Sequence, residues 1–484
     1  MELNSLPPEV LGLILGHLIA PDDPGGAPKK LNFESICNAR LVCRTWNNVA
    51  SSHLFRDISL RKNPDAEEGF TRWHEMVNNA VVRTAAKRVT VHSVIDNAEG
   101  DEEDVWDDEC NANSFTLAVS RINQLPNVRT LQLSFFSKCR GVENNFYFEY
   151  EIEHIPTRLN TLRVVFRFLK ERAADRENNL TPIRSLVLRN LQNAPLDEFY
   201  SSDLFKDVIK EMKQVHLLIL EEYDEPGPDY DLERIERREF EPYLRKTILP
   251  CFSDQLTSLT LYFHECWGVC PGYFEGKGLY FPNLRTLSLG NYVIGHNDQF
   301  DWVLSHASLT SLRLDMCFIV SHMAFHGYCF KRWAVPTHDW TSLPPGSYGF
   351  VMDEPYHPRS VFTYDGTWEK VFDGIRTNLC SLTDFRFDCS KRYDIQFCEP
   401  ENLGTTLFPG RYITFDNGLL PSPWIEADFE TGDLVFGNND PTPMSREDSD
   451  DPHSVLPRLN RAQETEEGDR RAFETLVQAV RDRW

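Results

Sequence analysis

One short phrase, hydrophobic-x-x-Leu-x-Leu, recurs along the chain and constrains its fold more than any other feature of the sequence. Its clear copies are VRTLQL (128–133), LNTLRV (159–164), IRSLVL (183–188), VHLLIL (215–220), LTSLTL (256–261), LRTLSL (284–289), LTSLRL (309–314) and LTDFRF (382–387), with weaker copies at FRDISL (55–60) and AKRVTV (86–91). The alternation at the end of the phrase is that of a strand with one buried face. We therefore predict a short β-strand at each copy.

Amphipathic stretches precede several of these copies. Three predicted helix faces are Phe70, Trp73, Val77 and Val81; Phe205, Val208, Ile209 and Met212; and Trp368, Val371, Phe372, Ile375 and Leu379. A helix followed by a strand, repeated, predicts parallel strands joined by right-handed crossovers. The predicted fold class is therefore α/β.

The repeat spacing resembles that of the leucine-rich repeat family. Three intervals between phrase starts are 24, 28 and 25 residues, whereas others are 31, 41 and 73, and the usual Asn or Cys after the strand is missing. The resemblance implies an irregular α/β solenoid with a C-terminal capping helix, on which Phe473, Leu476, Val477 and Val480 share one side. The same phrase arises in other α/β proteins, barrels included, and that alternative stays open.

Long insertions interrupt the phrases at about 96–109, 221–241 and 316–364, and the segment near 438–460 has the composition of a flexible stretch. Insertions in a solenoid often gather on the binding face. The acidic stretch 96–109 favours a solvated loop over a clamp for a basic ligand. Trp333, Trp340, Tyr348, Phe350 and Tyr356 lie in the third insertion, where a binding surface and a core under the last repeats both remain open.

The chain begins with an unusually apolar stretch, LPPEVLGLILGHL, from Leu6 to Leu18. Pro7 and Pro8 suit a first helical turn, so we predict a helix from Pro7 to Leu18. Its apolar side chains span about 200° of the circumference, while a surface helix needs little more than 100° to reach its own core. The helix is therefore either a core helix or one whose second apolar face meets another molecule.

LPPEV, followed by Ile14 and Leu18 and then by ARLVCRTWNNVA (39–50), resembles an F-box over residues 5–51. The loop at 20–30 departs from the family pattern because it is longer and richer in Pro and Gly. The resemblance implies a three-helix F-box over residues 1–60 that docks on a Skp-family adaptor and, through it, on a cullin scaffold. The positions that match the adaptor-binding pattern are Leu6, Pro7, Val10, Ile14, Leu18, Leu41, Val42, Cys43 and Trp46, some of which must instead hold the three helices together.

Composition excludes several classes of function. A formal charge of -24 argues against nucleic acid and against an anionic membrane surface. The chain has no run of about 20 apolar residues and no basic, cleavable leader, so we expect neither a membrane span nor a secretory signal. Its 12 scattered cysteines are typical of reduced thiols in the cytoplasm or nucleus.

Motifs for bond chemistry are weak. His264, Cys266 and Cys270 lie close in sequence, but no second pair stands at zinc-finger spacing. The stretch 272–278 lacks the Ser or Thr with which a phosphate loop holds magnesium. We therefore expect no catalytic residue, cofactor or metal, and the sequence identifies no substrate-binding residue.

Taken together, the two resemblances are those of a fungal-type F-box protein with a leucine-rich-repeat-like body over residues 61–484. They imply a non-catalytic substrate-recognition subunit of a Skp–cullin–F-box ubiquitin ligase, whose body binds a protein substrate. Two alternatives remain: a repeat scaffold that acts outside ubiquitination, and an enzyme with another α/β fold.

Overall fold

The chain is a mixed α/β protein with an N-terminal helical region and a large amount of β-sheet. The computed structural model describes residues 6–19, 30–61, 70–93, 109–141, 152–175, 177–222, 234–252, 254–344, 359–389, 403–415, 425–427, 434–436 and 461–483. They fall into two compact units. The first comprises 1–191, 196–218 and 397–402, and the second comprises 192–195, 219–396 and 403–484.

The first unit starts with three helices and continues with alternating helices and strands. Its helices are α1 (Pro8–Ile19), α2 (Lys30–Ala39), α3 (Arg44–Leu54), α4 (Thr71–Asn78), α5 (Ala80–Ala85), α6 (Glu109–Ser120), α7 (Ile155–Ala174), α8 (Asp197–Tyr200) and α9 (Asp203–Ile209). Its strands are β1 (Asp57–Leu60), β2 (Arg88–His92), β3 (Thr130–Ser134), β4 (Ser185–Gln192) and β5 (Gln214–Leu220). The last residue of β4 and the last two of β5 belong to the second unit.

Strands β1 to β4 form a parallel ladder in which equivalent positions of the phrase stand side by side. Leu60, Val91, Leu133 and Leu188 form one such row, and all are buried. Because side chains alternate along a strand, the next residue of each strand lies on the opposite face. The apolar row therefore fixes the register of the whole ladder.

The second unit repeats this pattern and adds an antiparallel extension. Its helices are α10 (Ile235–Tyr243), α11 (Asp301–Leu304), α12 (Gly327–Trp333), α13 (Trp368–Asn378) and α14 (Arg461–Arg481). Its strands are β6 (Ser258–Trp267), β7 (Thr286–Ile294), β8 (Ser311–Asp315), β9 (Phe318–His326), β10 (Thr341–Leu343), β11 (Arg359–Thr363), β12 (Asp384–Asp388), β13 (Tyr412–Phe415), β14 (Ile425–Ala427) and β15 (Leu434–Phe436).

The order β6–β7–β8–β12 is parallel throughout, with Leu261, Leu289, Leu314 and Phe387 in one buried row. Strand β9 pairs in parallel with β7 and β13 and antiparallel with β11, which pairs antiparallel with β10. Most phrase copies are thus strands, as predicted. The register of these strands forms a repeat-like parallel ladder.

One predicted strand was wrong. The copy at 159–164 lies inside α7, a 20-residue helix. Leu159, Leu162, Val165, Phe166 and Leu169 are all buried, and their spacing of three and four residues is that of one helix face. The phrase was read over six residues only, whereas the helical period shows over the longer window.

One residue of a predicted helix face is also misplaced. Phe70, Trp73 and Val77 are buried as expected, but Val81 is 47% exposed. The helix ends at Asn78, and the side chain of Asn79 accepts hydrogen bonds from the backbone N–H groups of residues 81 and 82 and so starts α5. The new helix turns Val82 inward in place of Val81.

The insertions contain ordered elements where the structure describes them. Helix α10 lies in the second insertion, and α12 and the strands β9, β10 and β11 lie in the third. Trp333 and Trp340 are buried there, which favours the core interpretation for these two residues. Residues 94–108 and 437–460, like Tyr348, Phe350 and Tyr356, lie outside the described residues.

Helix α14 packs on α13 and β12 in the second unit. The ring of Phe473 lies 5.3 Å from that of Phe372, centroid to centroid, and Leu476 and Val480 are buried. Asp469 anchors the helix because its carboxylate accepts hydrogen bonds from Arg411 Nε and from the Tyr412 hydroxyl, both at 2.9 Å. A buried ion pair thus accompanies the apolar contact that the sequence predicted.

Candidate functional site: an apolar surface on three helices

Helices α1, α2 and α3 enclose a small core of their own. Leu11 and Leu15 of α1 are fully buried against Ile36 and Ala39 of α2 and Ala50 of α3. Trp46, Val49 and Leu54 pack around these five side chains. Because Leu11 and Leu15 are four residues apart, they lie on one side of α1, and that side satisfies the helix's own need for burial.

The small residues of α1 face α3. A Cβ atom at Gly12 or Gly16 would lie 3.7 Å from the His53 ring, which is ordinary van der Waals contact. Burial first, and then the charge of Arg56, lowers the pKa of His53, so a neutral ring fits this position. The face of α1 that carries Gly12 and Gly16 therefore packs against α3 within the three-helix region.

Three other apolar side chains of α1 point away from this core. Leu13 is 69% exposed, Val10 41% and Ile14 40%. Positions three and four residues apart are neighbours on a helix, so these three form one continuous apolar strip. This strip is exposed in the described part of the chain.

A second group of exposed apolar residues lies at the turn between α2 and α3. Leu41 is 84% and Val42 56% exposed. Backbone hydrogen bonds from Leu41 N to Asn38 O (3.0 Å) and from Val42 N to Ala39 O (3.3 Å) fix the conformation of the turn. This fixed backbone keeps the side chains of Leu41 and Val42 exposed. Arg40 connects the turn to α3 and the residue after it, because its Nε donates a hydrogen bond to Asn47 Oδ1 and its guanidinium lies over the Phe55 ring.

The surface can bind but offers no bond chemistry. Its exposed groups are aliphatic, and the nearby Cys43 is half-buried as the residue that precedes α3. Complete burial of an aliphatic side chain contributes roughly 1.5–3 kcal/mol, so these exposed groups favour association with another apolar surface. An apolar protein surface is the natural counterpart.

Residues 3–61 match the F-box-like family. The match covers the three helices and β1, and it supports an F-box protein. F-box domains generally bind Skp-family adaptors, and F-box proteins are typically non-catalytic subunits of ubiquitin ligases. A search of curated proteins finds no match to this chain.

The structure places the predicted adaptor-binding residues in different environments. Pro7, Val10, Ile14, Leu41 and Val42 are exposed, whereas Leu6 and Cys43 are half-buried. Trp46 packs on the core and so belongs in part to the residues that hold the helices together. The side chain of Leu18 lies outside the described residues. The adaptor-binding role of the set stays a prediction.

The residues selected from the sequence do not include Leu13, which is the most exposed of the α1 aliphatic side chains that the structure describes. It lies within the 200° arc but is not part of the family pattern that selected the other positions. The only sequence signal for Leu13 was the 200° spread of apolar side chains around α1. A residue midway between the core residues Leu11 and Leu15 lies on the other side of the helix.

The weak motifs elsewhere do not form a built site in the described residues. Burial raises the pKa of the thiols of Cys266 and Cys270 well above the usual range, so both favour the protonated form, which binds metal poorly. Two other groups of side chains bring three ligand atoms within 4.8 Å: Glu221, His264 and Glu265, and His296, His338 and Asp339.

Local contacts explain both groups without an ion. Glu265 pairs with Arg237 at 2.5 Å, so a positive charge is already supplied. The rings of His296 and His338 are stacked at an interplanar angle of 12°, and His296 Nδ1 lies 2.6 Å from Asp339 Oδ1, so this carboxylate already has a partner. Among the described helices, none combines the length and apolar composition needed to cross a membrane.

Proposed function

We propose that this protein is the substrate-recognition subunit of a Skp–cullin–F-box ubiquitin ligase. In this role the F-box-like domain binds a Skp-family adaptor, the adaptor binds a cullin, and the repeat-like body holds a protein substrate. The observation that carries the proposal is the exposed aliphatic strip of α1 beside an independent, already completed core.

The mechanism is positioning. A receptor that holds the substrate beside the charged ubiquitin-conjugating enzyme converts an encounter in solution into a reaction within one complex. Tethering of this kind raises the effective concentration of substrate lysines and needs no catalytic residue in the receptor. The parallel ladder with its aligned leucines supports an irregular leucine-rich-repeat-like body for this task.

We also propose a cytoplasmic or nuclear location and no binding of nucleic acid or membrane. The cysteines whose side chains the structure describes are free thiols, as expected in a reducing compartment. The formal charge of -24 disfavours polyanions over the chain as a whole.

The test is capture of a purified Skp-family adaptor by the full-length protein. Wild type should capture the adaptor, and Val10→Ala with Ile14→Ala should weaken the affinity more than tenfold, because two aliphatic contacts are lost. Val81→Ala is the matched control: it removes the same groups from an exposed valine of the same unit, outside the F-box-like domain. Failure of the wild type to capture any such adaptor would overturn the proposal.

A second measurement separates the proposal from a scaffold that acts outside ubiquitination. Deleting the protein should raise the level of at least one captured partner, and proteasome inhibition should raise the same partner in wild-type cells. If adaptor capture succeeds while no partner level changes, the scaffold interpretation replaces the ligase one.

A further inference from the structure

The loops that lead into the strands of the first unit carry a basic residue at one repeated position, just before the strand begins. These residues, in the order of strands β1 to β5, are Arg56, Lys87, Arg129, Arg184 and Lys213. Lys87 N donates a hydrogen bond to Arg56 O at 2.8 Å, and Arg129 N donates one to Lys87 O at 2.9 Å. Arg184 N donates to Arg129 O at 3.1 Å, and Lys213 N donates to Arg184 O at 2.8 Å. The backbone ladder thus aligns the five residues along the edge where the strands begin.

The first three of these residues, Arg56, Lys87 and Arg129, have side chains that are available to a ligand. All three are exposed. Within the described part of the chain, no ion pair or side-chain hydrogen bond engages them, whereas Arg184 pairs with Glu211. We therefore call Arg56, Lys87 and Arg129 alone the cationic row.

The loops around the cationic row are also basic. Five stretches lead into strands β1 to β5: 53–56, 83–87, 121–129, 179–184 and 210–213. Together they contain eight Arg or Lys residues and a single acidic residue, Glu211. The acidic residue next to the row in sequence is Asp57, which begins β1 in register with Arg88. On a chain with 74 acidic and 50 basic residues, this excess of cations is a local arrangement and not a consequence of composition.

The fold of a ladder does not require this arrangement. Like charges on directly neighbouring strands repel each other and destabilise a sheet. In the second unit the equivalent, hydrogen-bonded position before each strand is held by one arginine and three threonines: Thr257, Arg285, Thr310 and Thr383. A ladder therefore forms without a cation before every strand, and three adjacent cations without counter-charges indicate a role in binding.

His53 of α3 shows that two members of the cationic row act on one region of space. Burial first, and then the charge of Arg56, lowers the pKa of its imidazole, and the charge of Lys87 lowers it further. Two cations that both influence one side chain are close enough to contact one anionic ligand together. The row thus begins directly after the three-helix region and continues into the body.

We propose that the cationic row binds an acidic segment of a partner protein, with carboxylates at Arg56, Lys87 and Arg129. The inference rests on the proposed function, because it names the chemistry of the substrate that the body would hold. Charge complementarity supports it, since the row offers two guanidinium groups and one ammonium group, and charge-assisted hydrogen bonds to carboxylates are strong. A protein segment is favoured over nucleic acid, because the formal charge of -24 repels a long chain of phosphates, whereas a short acidic segment meets the local cations.

The spacing of the cationic row specifies the ligand further. Adjacent strands are about 4.8 Å apart, so the backbones of Arg56 and Arg129 are separated by roughly 10 Å, with Lys87 between them. In an extended peptide, alternate side chains lie on one side at intervals of roughly 7 Å, so positions i, i+2 and i+4 span roughly 14 Å. The long side chains at the two ends of the row can splay apart to cover this distance. The segment should therefore carry Asp or Glu at three alternate positions.

The experiment measures binding of a fluorescent peptide of alternating Glu and Ser to the full-length protein by polarisation. The row variant combines Arg56→Gln, Lys87→Gln and Arg129→Gln and should weaken binding at least tenfold, because three charge-assisted contacts are lost. Added salt should weaken wild-type binding. Urea denaturation should give the row variant at least the stability of the wild type, because the substitutions relieve repulsion between like charges. A lower stability would assign the row to the fold and overturn the inference.

A matched control variant separates the row from the general charge of the unit. It combines Arg72→Gln, Arg167→Gln and Lys206→Gln, which remove two arginines and one lysine from exposed positions on α4, α7 and α9. Its net charge equals that of the row variant, and it should bind the peptide within twofold of the wild type. An equal loss in both variants, or no binding by the wild type, would overturn the inference.

A second readout locates the peptide on the wild-type protein. A carbodiimide joins a carboxylate to a lysine amine in contact with it, so mass spectrometry should find the peptide attached to Lys87 and not to Lys206. Attachment to other lysines without Lys87 would place the peptide elsewhere and overturn the inference. A link from Lys87 to a carboxylate of this chain in place of the peptide, or tighter binding of single-stranded RNA of equal charge at the row, would reject a partner peptide in favour of another occupant.

Failure of this inference can be told apart from failure of the proposed function. The row variant should capture the Skp-family adaptor like wild type, whereas Val10→Ala with Ile14→Ala should bind the peptide normally. Adaptor capture without peptide binding contradicts only the acidic-segment inference. Loss of adaptor capture in the row variant would assign the row to the adaptor and overturn that inference as well.

Discussion

Two leucines of α1, two positions apart, have opposite environments. Leu15 is fully buried in the three-helix core, and Leu13 is 69% exposed. Leu15→Ala should therefore lower the free energy of unfolding of the F-box-like domain by about 2–5 kcal/mol, whereas Leu13→Ala should change it by less than about 0.5 kcal/mol. Urea denaturation of both variants checks the difference.

The same pair separates stability from recognition. Leu13→Ala should weaken adaptor capture although the domain stays folded. Full adaptor affinity in Leu13→Ala, together with unchanged stability, would remove this residue from the proposed surface and confine that surface to Val10 and Ile14 on α1.

A single glycine shapes the sheet face opposite the leucine row in the second unit. A Cβ atom at Gly290 would lie 1.9 Å from a ring carbon of Tyr262, its neighbour on β6. Gly290→Ala should therefore lower the free energy of unfolding by about 1–3 kcal/mol through overpacking. Thermal unfolding of Gly290→Ala, Tyr262→Ser and the double variant checks the cause: the double variant should lose less than the sum, and strict additivity would exclude the clash.

At the scale of the element, the leucine phrase predicted strands well because its alternating leucines mark the buried face of a strand. At β3, Leu131 and Leu133 are both buried and in register with Leu186 and Leu188 of β4. The sequence could not show where the period changes, and so 159–164 was taken for a strand although it is part of α7. Here the tertiary pattern over 20 residues outweighs the local phrase.

The F-box-like domain was predictable from a single local motif and not from a repeated pattern. Its pattern depends on a few residues at fixed spacing, and the described ones lie just before and within α1, in the turn between α2 and α3, and within α3. The division between core and surface could not be read from sequence, because Leu11, Ile14 and Leu15 have the same chemistry and differ only in which side of α1 faces α2 and α3.

The boundary between α4 and α5 depends on one side chain. Asn79 Oδ1 accepts from Val81 N at 2.9 Å and from Val82 N at 3.4 Å. Asn79→Ala removes the N-cap and should lower the free energy of unfolding by about 1 kcal/mol. Asn78→Ala is the control because Asn78 is exposed one residue earlier and makes no such cap; an equal loss in both variants, measured by urea denaturation, would contradict the capping role.

At the scale of the whole molecule, both units bury carboxylates. In the first unit, Glu153 is fully buried and forms an ion pair with Arg158. Glu241 of α10 is 5% exposed, and its Oε2 accepts a hydrogen bond from Gly268 N at 2.9 Å. Burial raises the pKa of this carboxyl to about 8, although that hydrogen bond favours the ionised form.

The raised pKa makes the stability of the chain depend on pH in a defined direction. An unfolded glutamate titrates near 4.5, so between about pH 4.5 and 8 the folded state binds the proton that the unfolded state has lost. This contribution is fully present below about pH 4.5 and is lost as the pH rises to about 8. The slope of the loss is at most about 1.4 kcal/mol per pH unit.

Glu241→Gln should abolish this slope, because the amide keeps the size of the side chain and has no proton to lose. The free energy of unfolding, measured in urea at pH 5.5 and 7.5, should therefore fall less with rising pH in the variant than in the wild type. Glu239→Gln is the control, since Glu239 lies on the same helix with half of its side chain exposed and should leave the wild-type slope in place. If Glu241→Gln keeps the wild-type slope, the carboxyl is ionised in the folded chain and its burial must be offset by a positive charge.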